Sequence, residues 1–195
     1  MTAEVPLAAT DAGFLRDCWY MACLSAKLRP ASLRREMLLG EPVMLGRGRD
    51  GAVMALRDIC PHRGVPLSAG KVLADNTVEC PYHGWRFRGD GQCAAIPSLV
   101  GGEPIEAAKI KVRAYPVREQ DGLVWVYMPA PGHEGAAPRG APPRVGVPGA
   151  KPRWHESQLF HCGIDHAVIG LMDPASRATT SGRGRKARAP DPSGR

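Results

Sequence analysis

The chain has 195 residues, 44% of them apolar and 6% aromatic, and carries a formal net charge of +7, which suits one domain of ordinary size and part of another. No run of eighteen apolar residues exists and the N-terminal MTAEVPLAAT has neither a basic start nor an apolar block, so neither a membrane partner nor a secretory route is expected. Residues 174–195 hold five Arg and one Lys against one Asp, +5 of the total, which leaves +2 for the first 173 residues and speaks against nucleic acid as a partner of the folded part.

Residues 1–13 read as a loose N-terminus. FLRDCWYMACLSAKL then mixes apolar and polar positions and suits a short helix or a first strand, with Cys18 and Cys23 acting as small hydrophobes. Two apolar runs follow, EMLLGEPVML and AVMAL, on either side of GRGRDGA, where Asp50-Gly51 is a hairpin signal. TVEC, WRFR and, after the GDGQ turn, CAAIP are the next short strands. IKVRAYPV and LVWVYM close the series across Asp121-Gly122. Short runs with turn chemistry between them predict an all-β domain over residues 14–129, a small antiparallel β-sandwich.

From Pro129 to Pro152 the composition shifts to seven Pro and five Gly, which marks residues 130–152 as a linker or long surface loop. RWHESQLFHC suits a strand. Ile164, Val168, Leu171 and Met172 then fall at helical spacing behind Asp165, which is placed to cap. Residues 153–173 therefore form a strand-helix fragment of a second domain. Residues 174–195 contain no apolar side chain larger than Ala and are expected to be a disordered basic tail.

Six cysteines lie at positions 18, 23, 60, 80, 93 and 162, too sparse for a disulfide framework, so the expected compartment is the cytoplasm, where thiols stay reduced. Cys60-Pro-His62 and Cys80-Pro-Tyr-His83 are separated by seventeen residues, and each offers one thiolate and one imidazole at the tip of a β-turn. Pro61 and Pro81 stiffen these turns, and Gly64 and Gly84 let them bend. Two soft thiolates and two imidazoles complete either a tetrahedral zinc site or a [2Fe–2S] cluster with two thiolates on one iron and two neutral imidazoles on the other. The other candidates read as structural: Cys93 and Cys162 as buried thiols, Tyr82 and Trp85 as packing around the loops, Arg63 and His133 as solvated, and His155, His161 and His166 as isolated residues.

CPHRGVPLSAG followed by CPYHGWRF resembles the cluster-binding loops of Rieske proteins, and with CWYMA, LLGEPVML, GDGQC and AAIPS it most resembles the N-terminal domain of Rieske non-haem iron oxygenases. The resemblance runs from Phe14 to Asp173. It implies a Rieske fold with Cys60, His62, Cys80 and His83 as ligands of one [2Fe–2S] cluster. It also implies an electron-donating reductase or ferredoxin and homo-oligomers of the full-length relatives. Respiratory Rieske proteins carry an additional disulfide-forming cysteine in each loop, where this chain has Val65 and Tyr82, and a hydrogen-bonding serine where it has Trp85. Fewer donors imply a potential near the low end of the Rieske range, roughly −150 mV.

The oxygenases also hold a mononuclear Fe(II) on an Asp-x-x-His-x-x-x-x-His helix with a distant carboxylate. Asp173 fills the first place, but the histidine places hold Ser176 and Ser181. The expectation is therefore an electron-transfer domain without the oxygen-activating iron, followed by a tail read in a shifted frame of a GC-rich gene or, as the alternative, a real basic tail that docks an acidic partner or nucleic acid. A free-standing Rieske ferredoxin and a zinc-stabilised interaction module are the competing classes.

Overall fold

The computed structural model describes residues 14–99, 106–145 and 161–172. The chain divides into two units, residues 1–152 and 153–195. The expected strand and tail at 153–160 and 173–195, with His155, Asp173, Ser176 and Ser181, and the N-terminus 1–13 lie outside the described residues. Among the described residues no helix is long and apolar enough to cross a membrane.

The first unit is all-β, as expected, and antiparallel throughout. Strands β1 (Cys18–Leu24), β10 (Leu123–Met128) and β9 (Val117–Gln120) form one sheet in that order. A second sheet holds β2 (Ser32–Leu38), β3 (Glu41–Arg47) and β4 (Val53–Arg57). A third is built from four very short strands, β5 (Lys71–Val72), β6 (Val78–Glu79), β7 (Arg86–Phe87) and β8 (Cys93–Ala95).

The segment FLRDCWYMACLSAKL resolves as strand β1 and a single 3-10 turn at Ser25–Lys27, not as a helix. EMLLGEPVML is not one run. It folds back on itself at Leu39-Gly40, so that Leu38 pairs with Glu41, and both turn residues have positive φ, 51° and 76°. Such a two-residue turn matches the twist of the flanking strands, and the continuous apolar pattern conceals it because Leu39 takes a place that usually holds Asn or Asp. The turns at Asp50-Gly51 and Asp121-Gly122 form as the sequence suggests.

The second sheet is the middle layer. Val43 and Leu45 of β3 enter one core with Cys23, Leu38, Tyr115, Val124, Val126 and Met128, against the first sheet. Met44 points the other way, into a core with Met54, Leu56, Leu67, Val78, Phe87 and Cys93, against the third sheet. The period of two along a strand buried on both faces produces this division. Each fully buried Leu, Val, Met or Phe contributes about 1.5–3 kcal/mol relative to exposure. Cys23 and Cys93 are buried small hydrophobes, as read from the sequence, and Cys18 is half-buried.

Glu41 ties three segments together. Arg16 Nη1 donates to its Oε1 at 2.6 Å, Tyr115 Oη to its Oε2 at 2.8 Å, and Arg113 Nη1 lies 3.4 Å away. Burial pushes the Glu41 carboxyl up, but the donors from Arg16 and Tyr115 and the Arg113 charge outweigh it and hold the group below its ordinary 4.5. A depressed carboxyl stabilises the fold above its unfolded value and loses that contribution as pH falls through the folded one. Glu41→Gln is expected to cost about 2 kcal/mol near neutral pH. In urea titrations the native chain should approach the variant as the pH is lowered past 4.5. A constant difference between the two curves down to about pH 3 would rule this out.

The Pro- and Gly-rich segment has no strand or helix as far as residue 145, yet it is laid on the outer face of the first sheet. Trp19 Nε1 donates to the Gly140 carbonyl at 3.2 Å, Gln120 Nε2 to that of Pro142 at 3.0 Å, and Pro142 is buried. His133, read as solvated, is exposed and also paired. Its Nδ1 lies 2.9 Å from Asp17 Oδ2, whose other oxygen accepts from the Ala130 amide at 2.9 Å. The turn from Ala130 to His133 brings the ring to a carboxylate that is distant in sequence.

In the second unit the helix expected from spacing is present as α1 (Ile164–Met172). Asp165 lies inside its first turn and not at the cap, where it still faces the positive end of the helix dipole. Cys162, expected to be buried, is exposed, as are His161 and His166, so burial gives none of the three a structural role.

Candidate metal centre

Two loops at one end of the inner core bring the four sequence-predicted residues together. The first leaves β4 and spans Cys60 to Gly64, and the second joins β6 to β7 and spans Cys80 to Gly84. Both close in the same way. The amide of Gly64 donates to the Cys60 carbonyl at 2.8 Å, and that of Gly84 to the Cys80 carbonyl at 3.1 Å. In the reverse direction Cys60 N donates to Val65 O at 2.9 Å, and Cys80 N to Trp85 O at 2.8 Å. These five-residue loops are one residue wider than the β-turns expected. Gly64 and Gly84 sit at φ of 71° and 69°, a left-handed conformation that glycine adopts without steric cost.

The loops place sulfur inside and nitrogen outside. Cys60 and Cys80 are 2% and 3% exposed, whereas His62 and His83 are exposed. The Nδ1 atoms of the two histidines approach to 3.1 Å, and Cys60 and Cys80 belong to the same buried cluster. Burial pushes the Cys60 thiol up to about 11, with the Cys80 thiol acting in the same direction and the backbone amides of His62 and Arg63 opposing. Without a metal this thiol keeps its proton at neutral pH, so metal loading there must release it. Loss of hydration, then the neighbouring His83 and Arg63, hold His62 below its ordinary value. A neutral imidazole is the form that binds metal.

The donor set is soft and complete. Among the described residues, however, no three His, Cys, Asp or Glu side chains converge on one point able to hold a single ion. A tetrahedral zinc needs four donors around one centre. A cluster of two irons asks for two protein donors at each. The pairing of sulfur with sulfur and nitrogen with nitrogen fits the second demand.

One support escapes the sequence reading, and a second is read there only as packing. Asp58, 1% exposed, accepts from the Ser68 amide at 2.7 Å and from its hydroxyl at 2.6 Å, and so joins the two ends of the first loop. Arg35 Nε lies 3.7 Å from the same carboxylate. An Asp two positions before Cys60 in RDIC, with a Ser in PLSAG, was the available signal. The rings carry the other support. Trp85 lies parallel to His62, with centroids 4.7 Å apart and planes within 2°, and Tyr82 tilts over His83 at 3.9 Å.

The family described as Rieske [2Fe-2S] domain matches residues 18–116. The oxygenase component of dicamba O-demethylase from Stenotrophomonas maltophilia is 44% identical over 133 residues, which are 68% of this chain and 37% of that protein. The 4beta-methylsterol monooxygenase of Methylococcus capsulatus is 37% identical over 59% of this chain and 31% of its own length. The crystal structure of dicamba monooxygenase with non-heme iron and dicamba superposes with a TM-score of 0.55 at 42% identity, over 64% of this chain and 36% of that one. The chain thus spans about a third of the length of these relatives.

Proposed function

Because the chain belongs to the Rieske [2Fe-2S] domain family, we propose that it serves as the electron-relay domain of a Rieske non-haem iron oxygenase. In this reading Cys60 and Cys80 hold one iron of the cluster and His62 and His83 the other. The cluster, when bound, takes up and gives back one electron at a potential set by its ligands and surroundings. The observation that carries the assignment is the approach of the two histidine Nδ1 atoms to 3.1 Å beside two buried, free thiols of one core cluster.

The chain's own residues supply position and access. Asp58 and Ser68 hold the first loop closed, and the Lys71 and Arg86 ion pairs to Glu79, at 3.0 and 3.2 Å, fix the strand that leads into Cys80. The cysteines are shielded by the core and the histidines face solvent, so a redox partner approaches on the histidine side. That partner is a reductase or ferredoxin. The onward acceptor would be a mononuclear iron, for whose histidines this chain has Ser176 and Ser181, and which in a complete oxygenase would support hydroxylation or demethylation of an organic substrate. Residues 14–129 form the relay domain, with 130–152 leading to the start of the catalytic domain at 153. The site of action is the cytoplasm, and the whole oxygenase forms homo-oligomers.

An electron paramagnetic resonance spectrum of the dithionite-reduced protein tests the reading. A rhombic signal with the low average g-value of histidine-ligated [2Fe–2S] clusters is expected. A silent spectrum from folded protein that contains zinc would replace the relay with a zinc-stabilised module.

A further inference from the structure

Of the ring contacts at the site, two cross from one loop to the other: His62 with His83, at 4.7 Å and 55°, and His62 with Trp85, at 4.7 Å and 2°. The first joins two exposed loop tips, neither of which is anchored by the other. The second reaches inward. Trp85 is half-buried and its side chain packs on the inner core, while its carbonyl closes the second loop by accepting from the Cys80 amide. Tyr82 stacks only on its sequence neighbour His83 and is 58% exposed, so it cannot set the spacing between loops.

We propose that Trp85 is a positioning residue: its indole, fixed at the base of the second loop, holds the His62 imidazole of the first loop by parallel stacking. This inference rests on the ligand assignment above. A residue needed only to fill volume could be replaced by any apolar side chain of similar size. A parallel contact within 2° needs a flat π surface, offset as stacked rings prefer. The indole also covers one face of His62 and keeps water from it, whereas the outer edge of the ring stays open. Supporting residues around a metal ligand govern retention of the metal as well as ligand orientation.

The test compares Trp85→Leu and Trp85→Phe in the cluster-loaded full chain. Trp85→Leu should lose its cluster to an iron chelator about tenfold faster than the native chain. Its reduced spectrum should show altered g-values, and its potential should rise, because water reaching His62 favours the more negative, reduced state. Trp85→Phe keeps a flat ring on an intact loop and should restore g-values and potential towards native. Native values of all three quantities in Trp85→Leu would overturn the proposal, and so would equal impairment of the two variants. A native chain with no Rieske spectrum would refute the relay reading instead. The stack is then read in that metal-free chain from the His62 ring protons by nuclear magnetic resonance. An upfield displacement that disappears in Trp85→Leu supports the lock, and its absence from the native chain overturns it.

Discussion

Cys80→Ala is expected to empty the cluster site. Bound iron should fall from about two per chain to a background level, with complete loss of the Rieske signal. The reason is stoichiometric: a two-plus-two site has no spare donor. Apart from Cys60, already counted in the set, the remaining cysteines of the first unit are Cys18 and Cys23, which belong to the first sheet, and Cys93, whose Sγ contacts the Ala95 carbonyl at 3.7 Å. None stands on either loop. The metal-free fold should survive, because Ala preserves the loop backbone and removes one buried sulfur, at a cost of about 1 kcal/mol. Retention of full iron and an unchanged spectrum would show the ligand set to be wrong. Unfolding of the metal-free variant well below the native metal-free chain would instead assign Cys80 a mainly structural role.

Gly70→Ala should be among the most destabilising single substitutions, at about 3 kcal/mol or more. A Cβ at this position would lie 2.0 Å from the Glu79 carbonyl oxygen and 3.1 Å from that of Leu67. Both obstacles are backbone, so no side chain can rotate away, and β5 and β6 must separate at the Lys71–Glu79 pair. Glu79 immediately precedes Cys80, so the strain reaches the second loop and iron content should fall along with the melting temperature. Gly64→Ala is the informative comparison. Nothing lies within 4 Å of its Cβ, and only its φ of 71° opposes the change, so it should cost about 1–2 kcal/mol. A Gly70→Ala chain as stable as Gly64→Ala would contradict the close approach.

The candidate donor set was legible in the sequence because ligation would constrain residue type and spacing together, and Cys60, His62, Cys80 and His83 do meet in the fold. The strand series was legible for a related reason: Asp50-Gly51 and Asp121-Gly122 mark turns by the chemistry of positive φ. Leu39-Gly40 was missed because its first residue violates that chemistry, and pairing across β2 and β3 carries the cost. The Asp17–His133 contact spans 116 positions and depends on a turn within a proline-rich stretch, which no local pattern encodes. Asp58 falls in the same group, as does the stacking of Trp85 on His62, beyond the packing role read for that residue. Each acts through a partner on another segment, so composition shows the residue and only the fold shows the contact.

Strand β3 lends Val43 and Leu45 to one core and Met44 to the other. A shared strand leaves no seam between the half that bears the cluster and the half that does not. Opening the loops far enough to exchange iron disturbs residues that also hold the opposite sheet, so the amide protons of β3 should exchange with solvent only through opening of the whole domain. Cluster loading should thereby add to the resistance of the whole domain to opening and proteolysis, and not of the two loops alone.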